Sequence, residues 1–184
     1  MVSSSLTLRA LFKYTTSSGG SVYTKVTSNQ SNWAGTYLIV YEAEKMVMNG
    51  SLTNPDVANN YKTVTISSNS IKSTSTINKY VITIASYNGG YTIRTASGYY
   101  IGRTTDTNGM NKSSSTKYVN TISVSSDGTA TIKSGGAYLR FNTTSGQDRF
   151  RYFKSTTYNS QKPICLYKLT TSTSGSVTYY TTNS

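Results

Sequence analysis

Glu42 and Glu44 stand at i and i+2. On a strand both carboxylates would therefore share one face, roughly 6 to 7 Å apart at a rise of 3.2–3.4 Å per residue. That separation suits a glycosidase acid/base pair or a cation site. The competing reading is two solvated acids that offset Lys45 and its basic neighbours. It is preferred because acid/base pairs are normally drawn from different strands with different burial. Few other residues could do chemistry: the chain has no His, one Cys (Cys165) and six Asp plus Glu. Catalytic triads, His-bearing zinc sites, thiolate clusters and disulfides are all excluded by that inventory. The sequence is read as that of a protein with no catalytic residues, no metal and no cofactor, whose work is binding or scaffolding.

Binding candidates are aromatic and basic. Trp33, the only Trp, follows the polar run Asn29-Gln30-Ser31-Asn32, and Tyr99 and Tyr100 follow Gly98. Rings set among amides and hydroxyls suit sugars, whose C–H faces stack while the polar groups satisfy their hydroxyls. The competing reading, preferred for these rings taken by themselves, is that Trp33 and Tyr100 plug the ends of a barrel. A second cluster, Arg140, Arg149, Arg151 and Lys154, is interleaved with Tyr138, Phe141, Phe150, Tyr152 and Phe153. Cations alternating with aromatics serve single-stranded nucleic acid through phosphate neutralisation and base stacking. The reading preferred here is an outward basic face over an inward aromatic core.

The elements that carry these residues are strands. Periodicity is two almost everywhere, and Ser and Thr supply roughly a third of the residues, which fits half-buried strands. Val81-Ile82-Thr83-Ile84-Ala85 runs into Asn88-Gly89-Gly90 and returns as Tyr91-Thr92-Ile93-Arg94, a hairpin with a primed turn. Thr121 to Lys133 repeats the pattern around Asp127-Gly128. Gly89 and Gly128 are 39 residues apart, as are Ile93 and Ile132. Both copies then read Thr-Ile-basic, Gly, aromatic, aliphatic, and Gly35-Thr36-Tyr37-Leu38 supplies a third, weaker Gly-x-Tyr-aliphatic element. The first unit carries an insertion that takes in the Asn54-Pro55-Asp56 loop and a hairpin from Val64 to Ile71. A repeat of about forty residues built from short strands predicts an all-β, compact barrel of repeated hairpins. A β-trefoil-like form is favoured, with a two-sheet sandwich as the alternative. Residues 1–21 read as a polar arm or linker, 22–169 as a single β domain, and 170–184 as a polar tail holding one further strand.

Three stretches, Tyr23 to Ser28 with Gly35 to Glu42, Ser97 to Gly102, and Tyr138 to Asn142 with Arg149 to Lys154 and Pro163 to Lys168, together resemble a known module. It is a Ser/Thr/Tyr-rich β accessory module of secreted multidomain proteins of gut bacteria, found beside nuclease, peptidase or adhesin-like domains. The resemblance spans Val22 to Leu169 and implies an exported, non-catalytic appendage, extracellular or at the cell surface. It supplies no catalytic residues. No segment reaches the roughly 18 apolar residues of a membrane span. The partner expected first is a glycan or other cell-surface polymer, bound through Trp33, Tyr99 and Tyr100. The alternatives are a fibre or phage-like appendage subunit that self-associates through terminal strands (Leu6 to Arg9, Val177 to Thr181), and a nucleic-acid-binding domain attracted by the net charge of +12.

Overall fold

β-branched and aromatic residues alternating with Ser and Thr can hide their apolar set only as strands, and strands fill this chain. The computed structural model describes the backbone over residues 10–181 and the side chains over residues 20–171. Its strands are β1 (Ala10–Lys25), β2 (Gly35–Tyr41), β3 (Met46–Met48), β4 (Tyr61–Thr63), β5 (Ser70–Lys72), β6 (Ile82–Tyr87), β7 (Gly90–Thr95), β8 (Tyr100–Gly102), β9 (Asn111–Ser113), β10 (Thr121–Val124), β11 (Thr129–Ser134), β12 (Ala137–Asn142), β13 (Arg149–Phe153) and β14 (Ile164–Thr181). Two 3-10 turns, Ile77–Lys79 and Tyr158–Ser160, are the only helical segments among the described residues. All fourteen strands form one antiparallel sheet that curls into a half-barrel along the path β13-β12-β11-β14-β2-β6-β7-β8-β9. The all-β class and the repeated hairpins are as the sequence predicts.

Both repeat hairpins form, with different turns. Asn88 (φ 46°) and Gly89 (φ 74°) make the expected primed turn between β6 and β7. Between β10 and β11 only Gly128 is left-handed (φ 86°), and its N–H closes on the Ser125 carbonyl at 2.8 Å. The Asp127 carboxylate secures this second turn by accepting from Ser125 Oγ and the Thr129 N–H, which holds its pKa down at about 2.

The third Gly-x-Tyr-aliphatic copy differs from the others in orientation. In β8 and β12 the aliphatic residue, Ile101 or Leu139, enters the main core and the tyrosine faces outward. In β2 Tyr37 enters that core and Leu38 packs on the opposite side. The likeness is one of letters, with the faces exchanged, because the side-chain period of a strand is two.

That exchange reflects burial on both faces of the central strands. Tyr37, Ile39 and Tyr41 of β2 and Ile164 and Leu166 of β14 line the main core. Leu38 and Val40 of β2, with Cys165 and Tyr167 of β14, line a second core on the other side of the sheet. The insertion in the first unit covers this second core with Val64, Ile71 and the partly buried Ile66, Ile77, Tyr80 and Val81. Gly50 lets that cover seat closely: a Cβ there would lie 2.3 Å from the Val81 carbonyl oxygen.

Two buried asparagines join strands that share no ladder. Asn60 accepts the Phe150 N–H (2.8 Å) and donates to the carbonyls of Phe150 (2.8 Å) and Pro55 (2.6 Å). Asn120 donates to the Ile101 carbonyl at 3.3 Å and accepts the Tyr152 hydroxyl at 2.7 Å. Ala10–Ser18 of β1 and Thr173–Thr181 of β14 extend past the compact region as one ribbon. β1 pairs with β14 from Ala10 opposite Thr181 to Lys25 opposite Tyr167, with an irregularity between Ser18 and Ser21. The described part of the expected arm or linker, residues 10–21, thus lies within β1, and the expected tail strand at Val177 continues β14 instead of standing apart. Leu6 to Arg9 lies outside the described residues.

Two buried tyrosines should respond oppositely to loss of the hydroxyl. The Tyr37 hydroxyl is buried without a hydrogen-bond partner, whereas that of Tyr152 serves Asn120. In urea titrations Tyr37→Phe should unfold within about 0.5 kcal/mol of the parent or above it, and Tyr152→Phe should lose about 1 to 2 kcal/mol. Equal losses in the two variants would show that the polar partner is not what separates them.

Candidate functional site: a tyrosine groove bearing cations

The sheet surface over β6 to β9 presents its outward residues in rows. Thr83 opposes Arg94, Arg94 opposes Tyr100, and Tyr100 opposes Ser113 across the four strands. The Arg94 guanidinium carbon lies 5.6 Å from the Tyr100 ring centroid, and Arg94 Nε is anchored on the Gly98 carbonyl at 3.1 Å. Lys117 comes from the loop before β10. Its ammonium lies 5.1 Å from the Tyr87 ring and 5.9 Å from Tyr100. Together they bound a concavity of about 240 Å³, lined also by Thr83, Ser86 and Thr92. Its chemistry is aromatic, hydroxylic and cationic.

Of the three expected ligand-binding aromatics, only Tyr100 is in this groove. Tyr99 meets another cation: Lys112 Nζ stands 4.9 Å from its ring and also donates to the Thr53 carbonyl. Trp33 corrects the expectation of an exposed ring. It is 3% exposed and packs in the main core, 6.4 Å from Tyr37. The polar loop that suggested a sugar platform turns it inward instead, as Asn32 Oδ1 accepts the Ala34 N–H at 2.8 Å. Burying the largest apolar ring outweighs its polar neighbours in sequence.

The basic cluster divides. Phe150 and Tyr152 are fully buried, so their rings are closed to a stacking base. Arg151 and Arg149 converge on Asp56, at 2.9 and 4.0 Å, a partner nearly a hundred residues away. Lys154 is exposed. Arg140 lies 5.2 Å from Tyr158, whose ring stacks on Tyr138 at 4.0 Å, and Lys133 lies 5.3 Å from Tyr138. Desolvation lowers the pKa of this half-buried Arg140.

The Glu42–Glu44 strand pair does not form. β2 ends at Tyr41, and Glu42 to Lys45 make a turn in which Lys45 takes φ 53°. Glu44 is exposed, whereas Glu42 receives Lys25 Nζ at 2.7 Å and the Tyr167 hydroxyl. A second concavity, about 250 Å³, lies beside this pair and reaches Asp127 and Cys165. Burial there pushes the Cys165 thiol up to about 12. Among the described residues no group of three metal-ligating side chains comes together, and no helix is long and apolar enough to cross a membrane.

Sequence reasoning passed over Tyr87, Arg94, Lys117 and Tyr158 as binding residues. For Arg94 a signal existed, since the basic residue recurs in the repeat. Lys117 comes from a loop and Tyr158 from a 3-10 turn, where strand spacing carries no register. Comparison with protein-family models, curated proteins and solved structures finds no match.

The Lys25–Glu42–Tyr167 contact should give stability an acid limb. Burial opposes ionisation of Glu42, but the hydrogen bonds from Lys25 and Tyr167 outweigh it and hold the carboxyl below its ordinary value of 4.5. A carboxyl depressed on folding stabilises fully above its unfolded pKa, and that contribution is lost as pH falls through the folded value. Urea midpoints between pH 7 and pH 3 should therefore fall more steeply for the parent than for Glu42→Gln. Parallel curves would remove Glu42 as the source.

Proposed function

We propose that this chain is a non-catalytic binding module, secreted or displayed at a bacterial cell surface, that recognises a glycan-type polymer through the groove around Tyr87 and Tyr100. The observation that carries the reading is the groove itself: two tyrosine rings, threonine and serine hydroxyls and two cations converge on one concave surface. Aromatic rings with hydroxyls at their margins suit a sugar ring, which needs both a stacking plane and hydrogen-bond partners. The lack of His and the thiol pKa of Cys165 support a role in binding, as does the engagement of Glu42 with Lys25. The resemblance to accessory modules of gut bacteria supports export. Nucleic acid is the weaker alternative, because the aromatics of β13 are buried and two of its cations share Asp56.

On polysaccharides immobilised for affinity electrophoresis, Tyr87→Ala and Tyr100→Ala should each weaken binding about tenfold, as loss of a stacking ring worth ~1.4 kcal/mol implies. Trp33→Ala should instead cost about 3 to 5 kcal/mol of stability, as expected for a large ring removed from a core. Undiminished binding by both tyrosine variants would overturn the groove as the site.

The terminal ribbon favours a second reading, self-assembly into a fibre or appendage. Ala10–Ser18 and Thr173–Thr181 pair only with each other, and no third strand joins them among the described residues. A two-stranded ribbon with unpaired edges is a template for strand addition by another copy. Deleting residues 1–18 should abolish concentration-dependent mass in light scattering while the fold persists, because Val22 to Lys25 keep their pairing with β14. A constant monomeric mass in the full chain would dismiss assembly.

A further inference from the structure

The cation over Tyr100 has a counterpart one repeat later. Arg94 of β7 opposes Tyr100 of β8, and Lys133 of β11 opposes Tyr138 of β12. The cation-to-ring distances are 5.6 and 5.3 Å. Each pair is joined by a second tyrosine and a second cation. Lys117 and Tyr87 flank the first, while Arg140 and Tyr158 flank the second. The Arg140 flank opens on a depression of about 200 Å³ with Thr129, Asn159 and Gln161. Two hairpins 39 residues apart have thus built the same cross-strand arrangement twice on outward faces.

The charge of these two places is only partly answered within the chain. Salt bridges among the described residues involve Lys25, Arg149 and Arg151 and leave out all four of these cations. Near the second place Asp106 acts electrostatically on Lys133, although its carboxylate is held by the Ser155 N–H and hydroxyl. Cation–ring attraction orients an ammonium or guanidinium without neutralising it, so the positive charge stays available to an anion. Arg94 and Lys117 both approach Tyr100, so a ligand that reaches this ring also meets two cations. The remaining polar lining is hydroxyl in the groove and hydroxyl and amide in the second depression, groups that complement sugar hydroxyls.

We propose that the Arg94–Tyr100–Lys117–Tyr87 groove and the Lys133–Tyr138–Arg140–Tyr158 cluster are two copies of one anion-reading site that bind acidic units, carboxylate or sulfate, of a polysaccharide. The inference rests on the glycan-binding reading and narrows it to a charged, repeating ligand. Two weak sites on one polymer reinforce each other through effective concentration, so affinity should rise with chain length. The first site is the stronger, because the second has Asp106 beside it.

The test is titration of the full chain with dextran sulfate, polygalacturonate, uncharged dextran and an oligothymidylate, at low and at physiological salt. Dextran and dextran sulfate share a backbone and differ in the sulfate esters that carry the charge, and the sulfate and carboxylate polymers separate the two anion chemistries. The variants are Arg94→Gln with Lys117→Gln for the first site and Lys133→Gln for the second, with thermal melting as the control for folding. At least one acidic polysaccharide should bind, with affinity falling about tenfold or more between the two salt conditions as several charge contacts are screened. The first-site variant should lose about tenfold, the second-site variant about threefold, and their combination more than either, with melting unchanged.

Equal, salt-insensitive binding of dextran and dextran sulfate would overturn the anionic ligand and leave the glycan reading standing. Loss confined to one site would overturn the duplication. Tighter binding of the oligothymidylate than of either acidic polysaccharide would transfer the surface to nucleic acid. No binding of any polymer would overturn the inference and the glycan reading together.

Discussion

Burial of β2 and β14 on both faces is the constraint around which the rest of the molecule is arranged. A strand with one wet face needs apolar residues only at alternate positions, but Tyr37 to Tyr41 and Ile164 to Tyr167 are all buried. Leaving Leu38 and Val40 in water would forfeit about 1.5 to 3 kcal/mol each, so the outer face demands a cover. The insertion from Val64 to Val81 supplies it, and neither of the other two units has a comparable segment. The first repeat is longer because its strand lies at the centre of the sheet.

The second core has a polar rim for the same reason. Tyr167 brings a phenol and Cys165 a thiol into a region that could have been aliphatic throughout. The phenol is satisfied by Glu42, and Glu42 by Lys25 of β1. One contact thereby ties together β14, the turn after β2 and the last residue of β1. The compact region ends a few residues further out, past Val22 opposite Lys72 of β5, because Ala10–Ser18 and Thr173–Thr181 have only each other. The cavity beside Glu42 follows from this closure, and its charged groups largely answer one another.

What could be read in the sequence was local and periodic. The Asn88-Gly89 turn and the inward and outward alternation from Arg149 to Tyr152 depend on neighbours within a few residues, the 39-residue echo on such a local pattern occurring twice, and all three are present. The continuous apolar runs of β2 and β14 also signalled two-sided burial, a signal hidden by the assumption that every strand has one wet face. The failures were non-local. Nothing near Arg149 and Arg151 announces Asp56, and the polar neighbours of Trp33 pointed to a ligand while its buried place depends on the main core around Tyr37. Glu42 and Glu44 fail for a smaller reason. Their spacing has meaning only within a strand, and β2 stops one residue short of them.

The divergence of the three Gly-x-Tyr-aliphatic elements follows from the central burial. Each tyrosine has a cation opposite it in register: Arg94 for Tyr100, Lys133 for Tyr138 and Lys168 for Tyr37. In β8 and β12 the pair faces outward and its charge meets solvent. In β2 the faces are exchanged, so Tyr37 is fully buried, its hydroxyl has no partner, and desolvation raises its pKa to about 12. Lys168 lies 5.6 Å from that ring, yet the ring is sealed from any ligand. A repeat unit that gives its strand to the middle of the sheet therefore gives up the outward tyrosine on which the proposed recognition rests. The two units at the flanks keep theirs because one face of their strands remains wet. Whether such a tyrosine is spent on the core or left on an outward face is set by position in the sheet, with near-identical letters serving both ends.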